Sequence, residues 1–207
     1  MSFVYLERKA TKPNAPLLVL LHGYGSNDAD LFSFAEYIPN NFHVVSLQAP
    51  LTLGERSFAW FPIHFTDSME RWTSPDEVKK ATDYINTFLN YYSAKHDFNN
   101  EYVYLMGFSQ GAMLSYAVGL ATKNIKGIAA LSGYLDPRVV KQTNSSISSI
   151  YVSHGTEDMV VPFAWAEQSV EVLKEYGLSP EFHAYPQGHG INSDNLKSII
   201  QWLQAQL

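Results

Sequence analysis

The chain has 207 residues, of which 46% are hydrophobic and 16% charged, with a formal net charge of -6 and no cysteine. Those proportions suit a soluble globular protein. The acidic balance, without any lysine- or arginine-rich cluster, argues against nucleic acid or an anionic membrane surface as the main partner. The missing cysteines exclude a disulfide framework, a thiolate nucleophile and a cysteine-ligated metal.

The chain opens on "MSFVYLERKA", which lacks the apolar core and small-residue cleavage site of a signal peptide, so a cytoplasmic location is expected. A first strand is predicted over Phe3–Glu7 and a second over Leu17–Leu21. That second run is far too short to span a bilayer, and no stable membrane insertion is expected. It leads into "HGYGSND", a glycine-rich turn. The turn begins like a dinucleotide fingerprint but lacks the third glycine, and no acidic residue follows at the required spacing. No histidine–carboxylate spacing suggests a catalytic metal either. No cofactor is expected.

A third strand is predicted over His43–Leu47. Residues 49–74 then show neither the helix nor the strand period while carrying Phe58, Trp60, Phe61, Phe65 and Trp72. So long an aromatic stretch is expected to pack over strand ends rather than remain disordered. "SPDE" at 74–77 predicts Ser74 as N-cap, Pro75 in the first turn and Glu77 closing a capping box. Val78, Ala81, Ile85, Phe88, Leu89 and Tyr92 fall on one face of the helix that follows.

The next strand, Tyr102–Met106, runs into Gly107-Phe108-Ser109-Gln110-Gly111 and then "AMLSYAVGLA", which reads as a helix. A G-x-S-x-G between strand and helix has the context of a nucleophile elbow, where small flanking residues let the two backbones approach a sharply turned serine. The competing reading is a surface turn that happens to contain serine. Further strands are predicted over Gly127–Leu131, Ile150–Ser153 and Glu181–Tyr185. Phe163, Val170 and Leu173 begin an amphipathic helix that Gly177 should end, and Leu196, Ile199, Ile200 and Leu203 mark the last one. Strands alternating with helices imply a mainly parallel sheet of about seven strands covered on both faces. No repeat or linker divides the chain, so one domain over 1–207 is expected.

A serine hydroxyl attacks only when a base takes its proton and a carboxylate orients that base. Asp158, in "HGTEDMVVP", and His189, in "PQGHGI", each follow a strand and come after Ser109 in the order Ser, Asp, His. Asp136 and Glu157 are rival acids. Among the other histidines, His22 and His154 precede glycine at strand ends and are expected to shape turns, His43 and His183 lie within strands, His64 lies in a loop and His96 near a helix end. An oxyanion would need two donors, for which the backbone N–H groups of Gln110 and Tyr24 are the candidates. Trp60, Phe61, Tyr134, Leu135 and Phe163, with Trp165, are candidates for an apolar acyl-binding wall. Taken one at a time, each aromatic is better explained by core packing.

The motifs "LLHGYGSN", "WF", "GFSQGAM", "ALSGYL", "HGTEDMVVP" and "GHGI" occur in an order that resembles the phospholipase/carboxylesterase branch of the α/β-hydrolases, which includes the acyl-protein thioesterases. The resemblance covers nearly the whole chain. It implies a compact α/β-hydrolase fold without a large helical cap, and hydrolysis of carboxylic esters or thioesters by Ser109, Asp158 and His189. Its oxyanion donors map to Tyr24 and Gln110. The partner is then a small-molecule acyl ester or thioester, with small or medium acyl esters the leading reading. A lysophospholipase uses the same machinery, and a ligand-binding protein on the same fold is the alternative of another class. The aromatic loop and the C-terminal helix are candidate surfaces for a homodimer.

Overall fold

A computed structural model describes residues 2–65, 71–140 and 146–207, with backbone alone at 65, 71 and 72. In chain order its elements are β1 (Tyr5–Arg8), β2 (Pro16–Leu21), α1 (Asp28–Phe32), β3 (His43–Leu47), β4 (Leu51–Gly54), β5 (Ser57–Ala59), β6 (His64–Phe65), β7 (Arg71–Trp72), α2 (Pro75–Ser93), β8 (Asn99–Phe108), α3 (Gln110–Ala121), β9 (Ile125–Leu131), β10 (Ser149–Gly155), α4 (Phe163–Glu175), β11 (Glu181–Tyr185) and α5 (Ser193–Gln204). Seven strands form one sheet in the order β1-β3-β2-β8-β9-β10-β11. β1 is antiparallel to β3 and every other neighbouring pair is parallel.

The continuous apolar runs are explained by burial on both sides. Leu17, Val19 and Leu21 of β2 point into one core with the apolar faces of α2, α3 and α4. The intervening Leu18 and Leu20 point into a second core with Leu31 of α1 and Ile199, Trp202 and Leu203 of α5. A strand turns successive side chains to opposite faces, so a strand sandwiched between helices has no polar position to spare. Each fully buried leucine contributes about 1.5–3 kcal/mol.

The topology also gathers the loops that matter. From β2 the chain crosses to β3 on one side, and β8 later docks on the other. The loops leaving β2 and β8 therefore open side by side at the carboxyl end of the sheet, the place where open parallel sheets bind ligands. The loops after β10 and β11 leave the same edge.

Several local expectations are corrected. β1 starts at Tyr5, not Phe3, because its antiparallel partner β3 ends at Leu47, opposite Tyr5, while the Phe3 ring packs against Tyr84, Phe88 and Tyr91. The stretch 49–74 is not free of strands: β4 pairs with β5 and β6 with β7, each antiparallel. The side chain of Trp72 and residues 66–70 lie outside the described residues. Ser74 precedes α2 but makes no side-chain cap. The expected capping box is absent because the Glu77 carboxylate instead meets His64 Nε2 at 2.8 Å. The short helix α1, unforeseen, is capped by Asn27, whose side chain accepts from the Ala29 amide at 3.0 Å. Gly177 does end α4, at a φ of 76°, and its amide returns to the Lys174 carbonyl at 2.8 Å.

Candidate active site

Ser109 occupies the single residue between β8 and α3, with φ 54° and ψ -115°. A non-glycine residue in that region is strained, and the surroundings explain how it is held. A Cβ at Gly107 would strike the Gly111 carbonyl, and one at Gly111 would strike the Leu21 carbonyl. Only glycine at both positions lets the strand, the helix and β2 close on the turn.

His189, from the loop after β11, reaches this serine, and Asp158, from the loop after β10, reaches His189. His189 Nε2 lies 3.0 Å from Ser109 Oγ, and His189 Nδ1 lies 2.7 Å from Asp158 Oδ2. The other carboxylate oxygen of Asp158 accepts from the Val160 amide at 2.8 Å and the Val161 amide at 2.9 Å. Burial alone would raise the Asp158 carboxyl, but the hydrogen bonds from His189 and those two amides outweigh it and hold it below the ordinary aspartate range. The result is a fixed anion behind an imidazole behind a hydroxyl. Gln187 braces the loop that carries His189: its amide nitrogen donates to the Gly190 carbonyl at 2.7 Å and its oxygen accepts from the Asn192 amide at 2.9 Å.

The rival acids lie elsewhere. Asp136 accepts from Arg138 Nε at 2.9 Å and from the Arg138 amide at 2.9 Å, and Glu157 is exposed. The buried His22 does more than shape a turn. The Ala49 amide donates to its Nε2 at 3.1 Å, so its proton sits on Nδ1 and donates to the Gly23 carbonyl at 2.8 Å. Carbonyl and N–H of one trans peptide point in opposite directions, so pinning the Gly23 carbonyl also sets the direction of the Tyr24 N–H. Burial pushes His22 below the ordinary histidine range, with its bond to Gly23 opposing. The Tyr24 and Gln110 amides donate to no other group among the described residues.

Ser109 opens onto a cleft of about 250 Å³, which also takes in Tyr24, Gln110 and Tyr134. Its remaining walls are Ile63, Thr73, Met113, Val160, Val161 and Trp165. Trp165 packs edge-on against Tyr134 with ring centres 4.8 Å apart. Four of the candidate wall residues stand outside this cleft. Trp60 and Phe61 are buried in the core and border a second cavity against α2, because their backbone is tied to Gln110. Gln110 Oε1 accepts from the Trp60 amide at 2.9 Å and its Nε2 donates to the Phe61 carbonyl at 2.7 Å. Leu135 is a core residue, and Phe163 stacks on Phe182 at 5.8 Å. The sequence reading missed Val160 and Val161, for which adjacency to Asp158 was a usable signal, and missed Ile63, Thr73 and Met113, which gave none.

A family model described as phospholipase/carboxylesterase matches residues 7–207. The chain belongs to the phospholipase/carboxylesterase family. As a member it is a serine hydrolase of the carboxylesterase kind. Among curated relatives it is 29% identical to acyl-protein thioesterase 1 of Mycosarcoma maydis, over 95% of this chain and 93% of that one. It is 39% identical to carboxylesterase SOBER1 of Arabidopsis thaliana over 53% of this chain and 50% of the relative. The crystal structure of esterase PE8 superimposes with a TM-score of 0.89 at 27% identity, covering 100% of both chains. Among the described residues no helix is long and apolar enough to cross a membrane, and no cluster of three or more histidine and carboxylate side chains could hold a metal ion.

Proposed function

We propose that this family member is a carboxylesterase that cleaves small or medium acyl esters through an acyl-enzyme on Ser109, with His189 as base and Asp158 as its orienting anion. The observation that carries this reading is the unbroken relay of 3.0 Å and 2.7 Å from the Ser109 hydroxyl to the Asp158 carboxylate at the floor of an apolar cleft. The Ser109 proton passes to His189 Nε2 as Oγ attacks the ester carbonyl. Asp158 stabilises the imidazolium that forms. The oxyanion is received by the Tyr24 and Gln110 amides, and losing one such donor typically costs about 2.7–4 kcal/mol of transition-state stabilisation. His189 returns its proton to the departing alcohol. Water, deprotonated by the same nitrogen, then releases the acid.

Pocket size supports the acyl range. A cleft of about 250 Å³ sits just below the usual span of about 300–1,000 Å³ for small-molecule sites. An acyl thioester is the second reading, favoured by the near full-length match to a protein named acyl-protein thioesterase. The relay serves both leaving groups. The test is hydrolysis of a p-nitrophenyl ester series from acetate to decanoate, with matched thioesters, alongside labelling by a fluorophosphonate. Folded protein that neither turns over these esters nor is labelled at Ser109 would leave a binding protein on a hydrolase fold.

A further inference from the structure

His154 lies one residue before the end of β10 and is fully buried. Its Nε2 is 2.9 Å from the Val161 carbonyl and 3.3 Å from Asp158 Oδ2. A carbonyl can only accept, so the ring proton sits on Nε2. The other nitrogen, Nδ1, is buried and meets no hydrogen-bonding partner among the described residues. Val161 is thus held at both ends of its backbone: its amide donates to Asp158 Oδ1 and its carbonyl receives from His154. The same imidazole edge faces Oδ2, the oxygen that accepts from His189.

We propose that His154 is a positioning residue for the reaction. It clamps the 158–161 loop onto β10 and directs Asp158 Oδ2 toward His189. It is absent from the cleft lining and does not reach substrate. The inference rests on the triad reading and adds to it a second histidine, acting on the acid rather than on the nucleophile. The alternative is that an aromatic of this size simply fills space beside Phe163, whose ring centre is 6.1 Å away.

Two substitutions separate these roles. His154→Phe keeps the bulk and removes the N–H, whereas His154→Gln carries an amide nitrogen at similar reach to Nε2. For a positioning role, His154→Phe lowers kcat/KM about tenfold, the effect of one hydrogen-bonding group near a charge. His154→Gln stays within about threefold of wild type. The low-field proton signal of His189 Nδ1–H moves in the phenylalanine variant and returns in the glutamine variant. Histidine-selective ¹⁵N spectra of the unmodified protein place the His154 proton on Nε2, a readout that needs no variant to fold. The proposal is overturned by wild-type activity in folded His154→Phe, by equal losses in both variants with an unmoved His189 signal, or by an Nδ1-protonated His154. Asp158→Asn run in parallel distinguishes the two layers. Retained activity there removes the triad reading, while activity lost there and kept in His154→Phe removes only the positioning role.

Discussion

Replacing Asp158 by asparagine is nearly isosteric, and the surroundings dictate how the new amide must sit. The Val160 and Val161 amides, at 2.8 Å and 2.9 Å from Oδ1, both need an acceptor. Two amides at that short range outweigh the single, longer 3.3 Å approach of His154 Nε2 to Oδ2, so the asparagine oxygen is held there and its NH₂ turns toward His189 Nδ1 at the present 2.7 Å position of Oδ2. A donor facing Nδ1 forces that nitrogen to accept, so the ring proton moves to Nε2. His189 then points a proton at Ser109 Oγ and has no lone pair with which to take one. In a serine protease the corresponding change lowers kcat about 10⁴-fold, which corresponds to about 5.4 kcal/mol of activation free energy. The same wrong-tautomer argument predicts a loss of that order here, with the fold intact. Turnover of p-nitrophenyl acetate and the rate of fluorophosphonate labelling measure it, with circular dichroism reporting the fold. Asp158→Asn activity within tenfold of wild type, coupled with collapse in Asp136→Asn, would refute the reasoning and move the acid to the Arg138 pair.

Further consequences can be measured on the same protein. Ser109→Gly removes the hydroxyl and relieves a non-glycine residue at φ 54°, so hydrolysis disappears while stability rises by about 1 kcal/mol, read as a higher melting temperature. An unchanged or lower melting temperature would show that the elbow stores no strain. Asp136, Asp158 and Glu7 all titrate below their ordinary values in the fold. Depressed carboxyl values mean that the unfolded chain binds protons first. Their stabilisation is therefore present above the unfolded value, 3.8 for the aspartates, and is lost as the pH falls through the folded value. Urea midpoints should fall on acidification, and less steeply in Asp136→Asn; parallel curves would contradict the assignment. Trp165→Ala enlarges the cleft and should move the preferred acyl length upward, whereas Leu135→Ala should lower stability by about 2–5 kcal/mol and leave that preference in place.

The central strands were legible in the sequence because they are buried on both faces, Leu17–Leu21 being the plainest case with five apolar residues in a row. The order of Ser109, Asp158 and His189 could be read because each stands in a turn or loop that follows a predicted strand. What escaped notice depends on partners distant in sequence. Glu77 has the spacing of a capping box, but its carboxylate pairs with His64 across 13 positions. Trp60 and Phe61 look like pocket aromatics until the Gln110 side chain, 50 and 49 positions away, draws their backbone inward. Strands β4 to β7 span two to four residues each, too few for alternation to register. No pattern in one sequence announces such pairings.

Gln110 uses both ends of its side-chain amide on the backbone at 60 and 61, so one residue belongs both to the bend beside Ser109 and to the segment that passes near it. A substitution at 60 or 61 that shifts that backbone is therefore felt at the turn bearing Ser109, although neither side chain lines the cleft. A roomier cleft is better sought at Trp165, which lines it and whose indole leans on Tyr134 rather than on the bend.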